Sequence, residues 1–220
     1  MNKDVAFRYK ELLDLFSRYE NGEVSDSMYR HGLYYKKNFG VSIPVIDQIA
    51  GQFQLSSELA SFLWKQEERE SKLLALRLFD YNSFIDPYLE DLIQGIENSE
   101  LAEQAALHFL VNLTHSIEIA NSLIKNNNEN CILAGLILIS KLAQTRKNLD
   151  NSAFIQIINQ LKTLKLNITL HQKRGLSRAL LQIGLRNNEL KQQVVHFIDE
   201  QFNENSEYKN WLEQEVKYFL

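Results

Sequence analysis

An internal repeat is the feature of this sequence that most restricts how the chain can fold. Residues 57–78 align without gaps on residues 117–138, at a shift of 60 positions. The matching residues are Glu58, Ala60, Leu63, Lys65, Leu73, Leu76 and Leu78, which recur as Glu118, Ala120, Leu123, Lys125, Leu133, Leu136 and Leu138. The apolar spacing in each copy predicts a helix, a short polar turn and a second, more apolar helix. The repeat therefore predicts helical hairpins.

Such hairpins cannot bury their apolar surface alone, so neighbouring hairpins must stack. Apolar residues spaced three and four apart recur along the chain, and only 2 Pro and 8 Gly are present, which leaves few strand-bounding turns. We predict an all-α fold, an α-solenoid of HEAT-like helical hairpin repeats, as a single domain over residues 1–220. A compact helical bundle is the alternative. The predicted helices cover residues 4–20, 25–38, 44–53, 56–64, 68–79, 82–97, 99–111, 115–126, 129–145, 150–164, 169–185, 188–203 and 206–218.

Composition excludes several classes of protein. Hydrophobic residues make up 45% and charged residues 24%, as in ordinary globular proteins. The longest apolar run, CILAGLILIS, is too short to span a membrane, and the charged N-terminal segment does not resemble a signal peptide. The lone Cys131 cannot form an internal disulfide, and the 5 His lack the spacing of metal ligands. We expect a monomeric cytoplasmic protein without a metal ion or other cofactor.

Charge is strongly segregated along the sequence. The net charge is −4, yet residues 141–191 contain ten basic residues against only two acidic ones, Asp150 and Glu189. The basic residues are Lys141, Arg146, Lys147, Lys162, Lys165, Lys173, Arg174, Arg178, Arg186 and Lys191. In a stacked array, a run of one charge along the sequence becomes a patch on the surface. Such a patch is what a nucleic-acid backbone requires, although a solvated face that keeps the protein soluble is the ordinary alternative.

The helix predicted over residues 169–185 sharpens this expectation. At 100° per residue, Leu176, Ala179, Leu180 and Ile183 share one face of the helix, and His171, Arg174 and Arg178 share the opposite one. The candidate DNA-binding residues are Lys141, Arg146, Lys147, Lys173, Arg174 and Arg178. Three tyrosines near the N-terminus, Tyr29, Tyr34 and Tyr35, are predicted on a helix, where they either line a groove or pack against the next repeat.

Two stretches, GVSIPVIDQIA and LASFLWKQEERESKLLALRLF, carry a resemblance to a known family. Their pattern, borne by Gly40, Val41, Pro44, Leu63, Trp64, Glu70, Ala75 and Leu76, resembles bacterial DNA alkylation repair proteins, the alkylpurine DNA glycosylases built from HEAT-like repeats. The resemblance implies hydrolysis of the N-glycosidic bond of purines alkylated at N3 or N7 in duplex DNA, without a metal ion. The chain would be a divergent member.

The resemblance also implies site residues, which this sequence mostly replaces. The family has a Trp and, four residues later, an Asp beside the deoxyribose, and these fall on Ser99 and Glu103. A second family Trp falls on Arg178, and the family Arg falls near Leu133 or Ala134. Glu103 is therefore the candidate catalytic carboxylate, which would stabilise the cationic sugar electrostatically.

Three interpretations remain open at this level. The chain is an active glycosylase that uses Glu103, a DNA-binding relative without excision activity that uses residues 141–191, or a catalytically inactive scaffold whose groove binds a protein partner. The low isoelectric point of 5.8 favours the scaffold, because dedicated DNA-binding proteins are usually basic overall. The family resemblance favours the first two, and the replaced positions favour binding over catalysis.

Overall fold

Helices form the regular structure of the chain. The computed structural model describes residues 3–82, 86–162, 169–201 and 207–220. Within these residues the only β-structure is an isolated bridge between Lys37 and Glu68. None of the helices in these ranges is long and apolar enough to cross a membrane. The all-α fold class is confirmed.

The first of two compact units comprises residues 1–109. Its helices are α1 (Lys3–Arg18), α2 (Gly22–Arg30), α3 (Ile43–Ala50), α4 (Ser57–Trp64), α5 (Arg69–Leu78), α6 (Asp86–Gln94) and α7 (Ser99–Gln104), which continues as a π-helix over Ala105–Phe109. The α5 helix lies at the centre, since it packs against α3, α4 and α7. Its side chains are correspondingly buried along nearly the whole helix.

The second unit comprises residues 110–220. It contains a 3₁₀ turn (Leu110–Asn112), α8 (Ser116–Leu123), α9 (Glu129–Thr145), α10 (Asn151–Leu161), α11 (Leu170–Gly184), α12 (Asn188–Gln201), α13 (Glu207–Glu215) and a closing 3₁₀ turn (Lys217–Phe219). The α9 helix packs along α11, α8 packs against α9, and α10 packs against α12. We call residues 141–191, with their ten basic residues, the basic segment; one of the ten, Lys165, lies outside the described residues. The prediction of a single domain over residues 1–220 stays a prediction.

The sequence repeat corresponds to two helical hairpins. Its first copy forms α4 and α5, its second copy forms α8 and the first part of α9, and the two helices of each pair pack together. Asn128 starts α9 because its side-chain oxygen accepts hydrogen bonds from the backbone N–H groups of Asn130 and Cys131. Ser56 caps α4 in the same way, through the N–H of Leu59.

The predicted helix over residues 25–38 ends early. Helix α2 stops at Arg30, and Gly32 follows with a positive φ of 84°. The N–H of Leu33 donates to the carbonyl of Met28, and the N–H of Gly32 donates to that of Tyr29. This is the Schellman arrangement that a left-handed glycine permits at a helix end. Tyr34 and Tyr35 therefore lie in a loop and not on a helix.

Candidate nucleic-acid interface

The site is built on two parallel helices of the second unit, α9 and α11. Near their starts, the side-chain amide of Gln172 donates to the carbonyl of Glu129, at 3.2 Å. Near their ends, Arg186 donates to the carbonyl of Ala143, at 2.8 Å. Between them, Gly175 lies against Leu133 and Leu136, because a Cβ atom built on it would lie 3.2 to 3.5 Å from their side chains. The helices therefore run side by side in the same direction.

Each helix has one row of solvent-accessible side chains beside this contact. On α9 the row includes Ile137, Lys141 and Gln144, and on α11 it includes Arg174 and Arg178. At 100° per residue, the α9 row lies about 100° around the helix axis from the side of α9 that contacts α11. The α11 row lies about 125° around its own axis from the side that contacts α9, in the opposite rotational sense. Both rows therefore lie on the same side. We call Lys141, Arg174 and Arg178 the basic face.

The opposite side of α9 is covered by α8. A Cβ atom added to Gly135 would lie 2.9 Å from the side chains of both Leu123 and Ile124 on α8 and its end. The basic face therefore lies on the side of α9 that α8 leaves uncovered. The predicted opposition on α11 also holds, since Leu176, Ala179, Leu180 and Ile183 are buried whereas His171, Arg174 and Arg178 are exposed.

The other three candidate DNA-binding residues occupy different positions. Arg146 and Lys147 are exposed in the turn that follows α9, and Arg146 donates a hydrogen bond to the carbonyl of Val111 at 3.0 Å. Lys173 points away from the basic face, because its ammonium group lies over the Tyr208 ring of α13, 5.2 Å from the ring centre. Lys173 is thus engaged with an aromatic ring of the protein itself.

Several cations of the basic segment hold the fold together. Arg186 donates to the carbonyls of Ala143, Arg146, Lys147 and Leu149, and its guanidinium lies 4.5 Å from the centre of the Phe154 ring. Burial lowers its pKa. Lys162 pairs with Glu200 at 3.3 Å, and Lys191 donates to the carbonyl of Leu220. These residues contribute to the charge count of the segment but not to the basic face.

The two acidic residues of the segment lie away from the two exposed rows. Asp150 caps α10 by accepting a hydrogen bond from the N–H of Ser152 at 2.8 Å, and its pKa is lowered by the hydrogen bonds from Ser152. Glu189, near the start of α12, accepts a hydrogen bond from Asn151. Both line a cleft of about 590 Å³ with Lys147 and Arg186. The exposed rows of α9 and α11 carry no acidic side chain.

Glu103, the candidate catalytic carboxylate, is exposed on α7 in the first unit. It makes no hydrogen bond or ion pair with any residue that the structure describes. Ser99, where the family has a Trp, is the first residue of α7. Leu133 and Ala134, which stand near the position where the family has its Arg, are buried in α9.

A different carboxylate of the same helix, Glu100, forms a strong interaction that sequence reasoning did not predict. Its two oxygens accept hydrogen bonds from Nε and Nη2 of Arg69, at 2.8 and 2.6 Å. The Tyr35 hydroxyl donates to the same carboxylate at 2.6 Å. Burial, and then the negative charge of Glu100, raise the pKa of Tyr35. The partners come from three separated stretches, so no local spacing could have indicated the cluster.

Glu70 explains why the two stretches that carry the family resemblance occur together. Its oxygens accept hydrogen bonds from the backbone N–H groups of Phe39 and Val41, at 3.1 and 3.2 Å, and from Arg69 at 3.0 Å. Gly40 between them has a φ of 69°, and a Cβ atom there would collide with the Asn21 carbonyl. The shared pattern thus fixes a turn and a buried carboxylate. It is evidence of fold and not of catalysis.

Comparison with known proteins agrees with the family resemblance of these two stretches. Residues 12–209 match the model of the family described as "DNA alkylation repair enzyme". The chain belongs to this family. No curated protein sequence matches it.

A solved structure is also similar to this chain. It is described as "A new family of proteins related to the HEAT-like repeat DNA glycosylases with affinity for branched DNA structures". The TM-score is 0.78 with 16% sequence identity, over 95% of this chain and 94% of the other. At this identity the likeness shows the HEAT-like helical repeat fold alone. No cluster of metal-ligating side chains occurs among residues 3–82, 86–162, 169–201 and 207–220.

Proposed function

We propose that this DNA alkylation repair protein binds duplex DNA, including branched duplexes, through the basic face, and that Arg146 and Lys147 extend the contact. The observation that carries the proposal is the placement of Lys141, Arg174 and Arg178 on one side of two parallel helices, in rows without an acidic side chain. Cations that neutralise phosphates release bound counterions, which drives association with DNA. The affinity for branched DNA ascribed to the similar structure supports the choice of ligand.

Rigid placement strengthens this proposal. Arg174 and Arg178 are one helical turn apart, about 6 Å along α11, so both guanidinium groups can reach one stretch of backbone. Their helix is fixed by a capping box between Thr169 and Gln172 and by the packing of Gly175 on α9. Arginine forms two parallel hydrogen bonds with a phosphate, which favours backbone contact.

The test is equilibrium binding of a labelled duplex, followed by fluorescence anisotropy over a range of salt concentrations. The double variant Arg174→Ala and Arg178→Ala should weaken binding to every duplex sequence alike. The slope of log affinity against log salt should become shallower by about 2, because each lost phosphate contact contributes about one unit.

The matched control removes two exposed cations that lie elsewhere, through Arg18→Ala and Lys125→Ala. It changes the net charge equally and should leave affinity and slope close to those of the wild type. Equal losses in the two double variants would show that only overall charge matters and would contradict the proposal. If the wild-type chain has no salt-dependent affinity for DNA, the protein-scaffold interpretation replaces it.

A second candidate function, excision of alkylated bases, is supported by one observation. The Glu103 carboxylate is exposed and has no partner among the described residues, so it is available to a substrate. In this reaction the bond between the deoxyribose C1′ and the purine nitrogen breaks, and the cationic alkylated purine leaves as a neutral base. Water forms the new C1′–O bond and releases a proton to solvent. The carboxylate would stabilise the positive charge that develops on the sugar.

Excision is tested with methylated duplex DNA by chromatography of the released bases. Glu103→Gln should reduce release about a hundredfold or more if its charge stabilises the transition state. The control Glu118→Gln, at another exposed glutamate, should have no effect. Absence of base release by the wild type, or full release by Glu103→Gln, excludes this role and leaves the binding proposal intact.

A further inference from the structure

A pair of exposed aromatic rings lies at the end of α2, with Tyr29 in its last turn and Tyr34 in the loop that follows. The Tyr29 side chain is 65% exposed and that of Tyr34 is 63% exposed. Their ring centres are 5.0 Å apart and their planes meet at 82°. In this edge-to-face arrangement one ring covers at most one face of the other, so aromatic surface remains open to a ligand. We call residues 29–34 the aromatic turn.

The aromatic turn is held rigidly on both sides. Within it, the N–H of Leu33 donates to the carbonyl of Met28, the residue before the turn, and closes the end of α2. After it, the Tyr35 hydroxyl donates to Glu100, and the N–H of Arg69 donates to the Lys37 carbonyl at 2.9 Å. A platform fixed in this way loses little conformational entropy when a ligand binds.

One cation of the aromatic turn, Arg30, is available to a polyanion. Residues 27–46 contain no Asp or Glu, although residues 1–140 as a whole are acidic. Lys36 pairs with Glu67 at 2.5 Å, and Lys37 lies 3.7 Å from Glu68. Arg30 lies between the two tyrosines in sequence, is exposed, and forms no ion pair within the described residues. A free cation thus accompanies the open rings.

We propose that the aromatic turn is a stacking platform for unpaired bases of a branched or bulged DNA, with Arg30 contacting the adjacent phosphate. This inference rests on the proposed function in that DNA is the ligand. Flat aromatic rings beside a cation bind single-stranded bases of any sequence, because every base offers a π-face. Paired bases inside a duplex are already stacked on their neighbours and gain nothing from such a platform.

The experiment uses the full chain and two labelled DNAs, a perfect duplex and the same duplex with a bulge of 2-aminopurine. Stacking on tyrosine should quench the 2-aminopurine fluorescence when the wild-type protein binds. Tyr29→Ala and Tyr34→Ala should each lower affinity for the bulged DNA about tenfold and abolish the quenching, while affinity for the duplex is unchanged. Tyr29→Phe and Tyr34→Phe should retain both, since stacking needs no hydroxyl.

Tyr218→Ala is the matched control, because this tyrosine is 84% exposed but lies at the other end of the chain. Wild-type quenching in the Tyr29→Ala and Tyr34→Ala variants, or equal loss of affinity for both DNAs, overturns the proposal. Failure of the proposed function has a different signature, the absence of duplex binding by the wild type. In that case the stacking proposal is tested with a single-stranded oligonucleotide that contains 2-aminopurine. The proposal holds only if the wild-type protein quenches its fluorescence and the Tyr29→Ala and Tyr34→Ala variants do not.

Discussion

The Arg69 guanidinium is buried in the first unit and donates four hydrogen bonds to protein oxygens. It is 1% exposed and donates to Glu70, Glu100 and the carbonyl of Val41. Removing a charge from water costs several kcal/mol, which these charged and polar partners offset. The cluster therefore specifies one arrangement of α5, α7 and the loop before α3.

Arg69→Met tests this role at a single residue. The variant should lower the free energy of unfolding by about 3 to 5 kcal/mol, because it leaves the Glu70 and Glu100 carboxylates without their shared cation. Urea denaturation followed by circular dichroism measures the loss. The control Arg8→Met breaks a partly exposed pair with Asp4 and should cost less than about 1 kcal/mol. Similar losses in the two variants would show that the buried cluster contributes little.

Tyr35 gives the cluster a pH dependence at the alkaline end. Its pKa is raised above the ordinary value of 10.0, so the unfolded chain releases the proton first as the pH rises. The contribution of the protonated hydroxyl is complete below about pH 10 and is lost as pH rises towards the folded-state pKa. The stability difference between wild type and Tyr35→Phe should therefore be constant at neutral pH and shrink above about pH 10.

Denaturation of both proteins over a pH series measures this difference directly. Tyr9, whose pKa is raised to about 12, titrates in both proteins and therefore cancels. A stability difference that stays constant to the highest pH would show that Tyr35 does not lose its proton more readily in the unfolded chain.

At the scale of helices, the sequence predicted what depends on local periodicity. The spacing of Leu176, Ala179, Leu180 and Ile183 correctly placed the buried side of α11, and therefore also the exposure of Arg174 and Arg178. Both copies of the repeat became hairpins, because an apolar row decides which side of a helix is buried.

Contacts between distant residues were beyond the same reasoning. Lys173 faces Tyr208, and Arg186 binds the carbonyls of the turn after α9, although both count as positive charge in the sequence. Glu100 and Glu103 look alike in sequence, yet only Glu100 meets a buried arginine. The early end of α2 had a local indication, since Gly32 can adopt the left-handed conformation that ends a helix.

Gly135 provides a test of the α8 and α9 hairpin. An added methyl group would lie 2.9 Å from Leu123 Cβ and 3.0 Å from the backbone nitrogen of Ile124, neither of which can move without shifting α8. Gly135→Ala should therefore destabilise the protein by about 1 to 3 kcal/mol, despite the better helix propensity of alanine. Thermal unfolding measures the loss.

Gly22→Ala is the control for this substitution, since nothing lies within 4 Å of a Cβ atom at the first residue of α2. It should be neutral or slightly stabilising. Equal stability of Gly135→Ala and the wild type would mean that α8 can move away from α9 at little cost.

At the scale of the whole molecule, net charge is a poor guide to binding. The chain has a charge of −4, but residues 141–191 contain ten basic residues against two acidic ones, and the segments on either side carry an excess of acidic residues. Exposed charges more than about 10 Å apart are largely screened at moderate salt, so a phosphate near the basic face responds mainly to local cations. A low isoelectric point is therefore compatible with DNA binding by one surface.

The two compact units are joined in sequence by a helical stretch without a linker. The π-helix Ala105–Phe109 runs directly into the 3₁₀ turn Leu110–Asn112, and Ala105, Phe109 and Leu110 are buried. Independent domains are usually separated by exposed, flexible segments. We therefore predict that residues 1–220 unfold as a single domain in one cooperative transition.

The chain offers a built-in probe in each unit, because its 2 tryptophans are Trp64 and Trp211. Trp211→Phe leaves fluorescence from the first unit, and Trp64→Phe leaves fluorescence from the second. In each variant the urea midpoint from fluorescence should coincide with the urea midpoint from circular dichroism. Because both midpoints come from the same variant, any effect of the substitution on stability cancels. A fluorescence transition separated from the circular dichroism transition in either variant would show that the units unfold independently, and the single-domain prediction would be wrong.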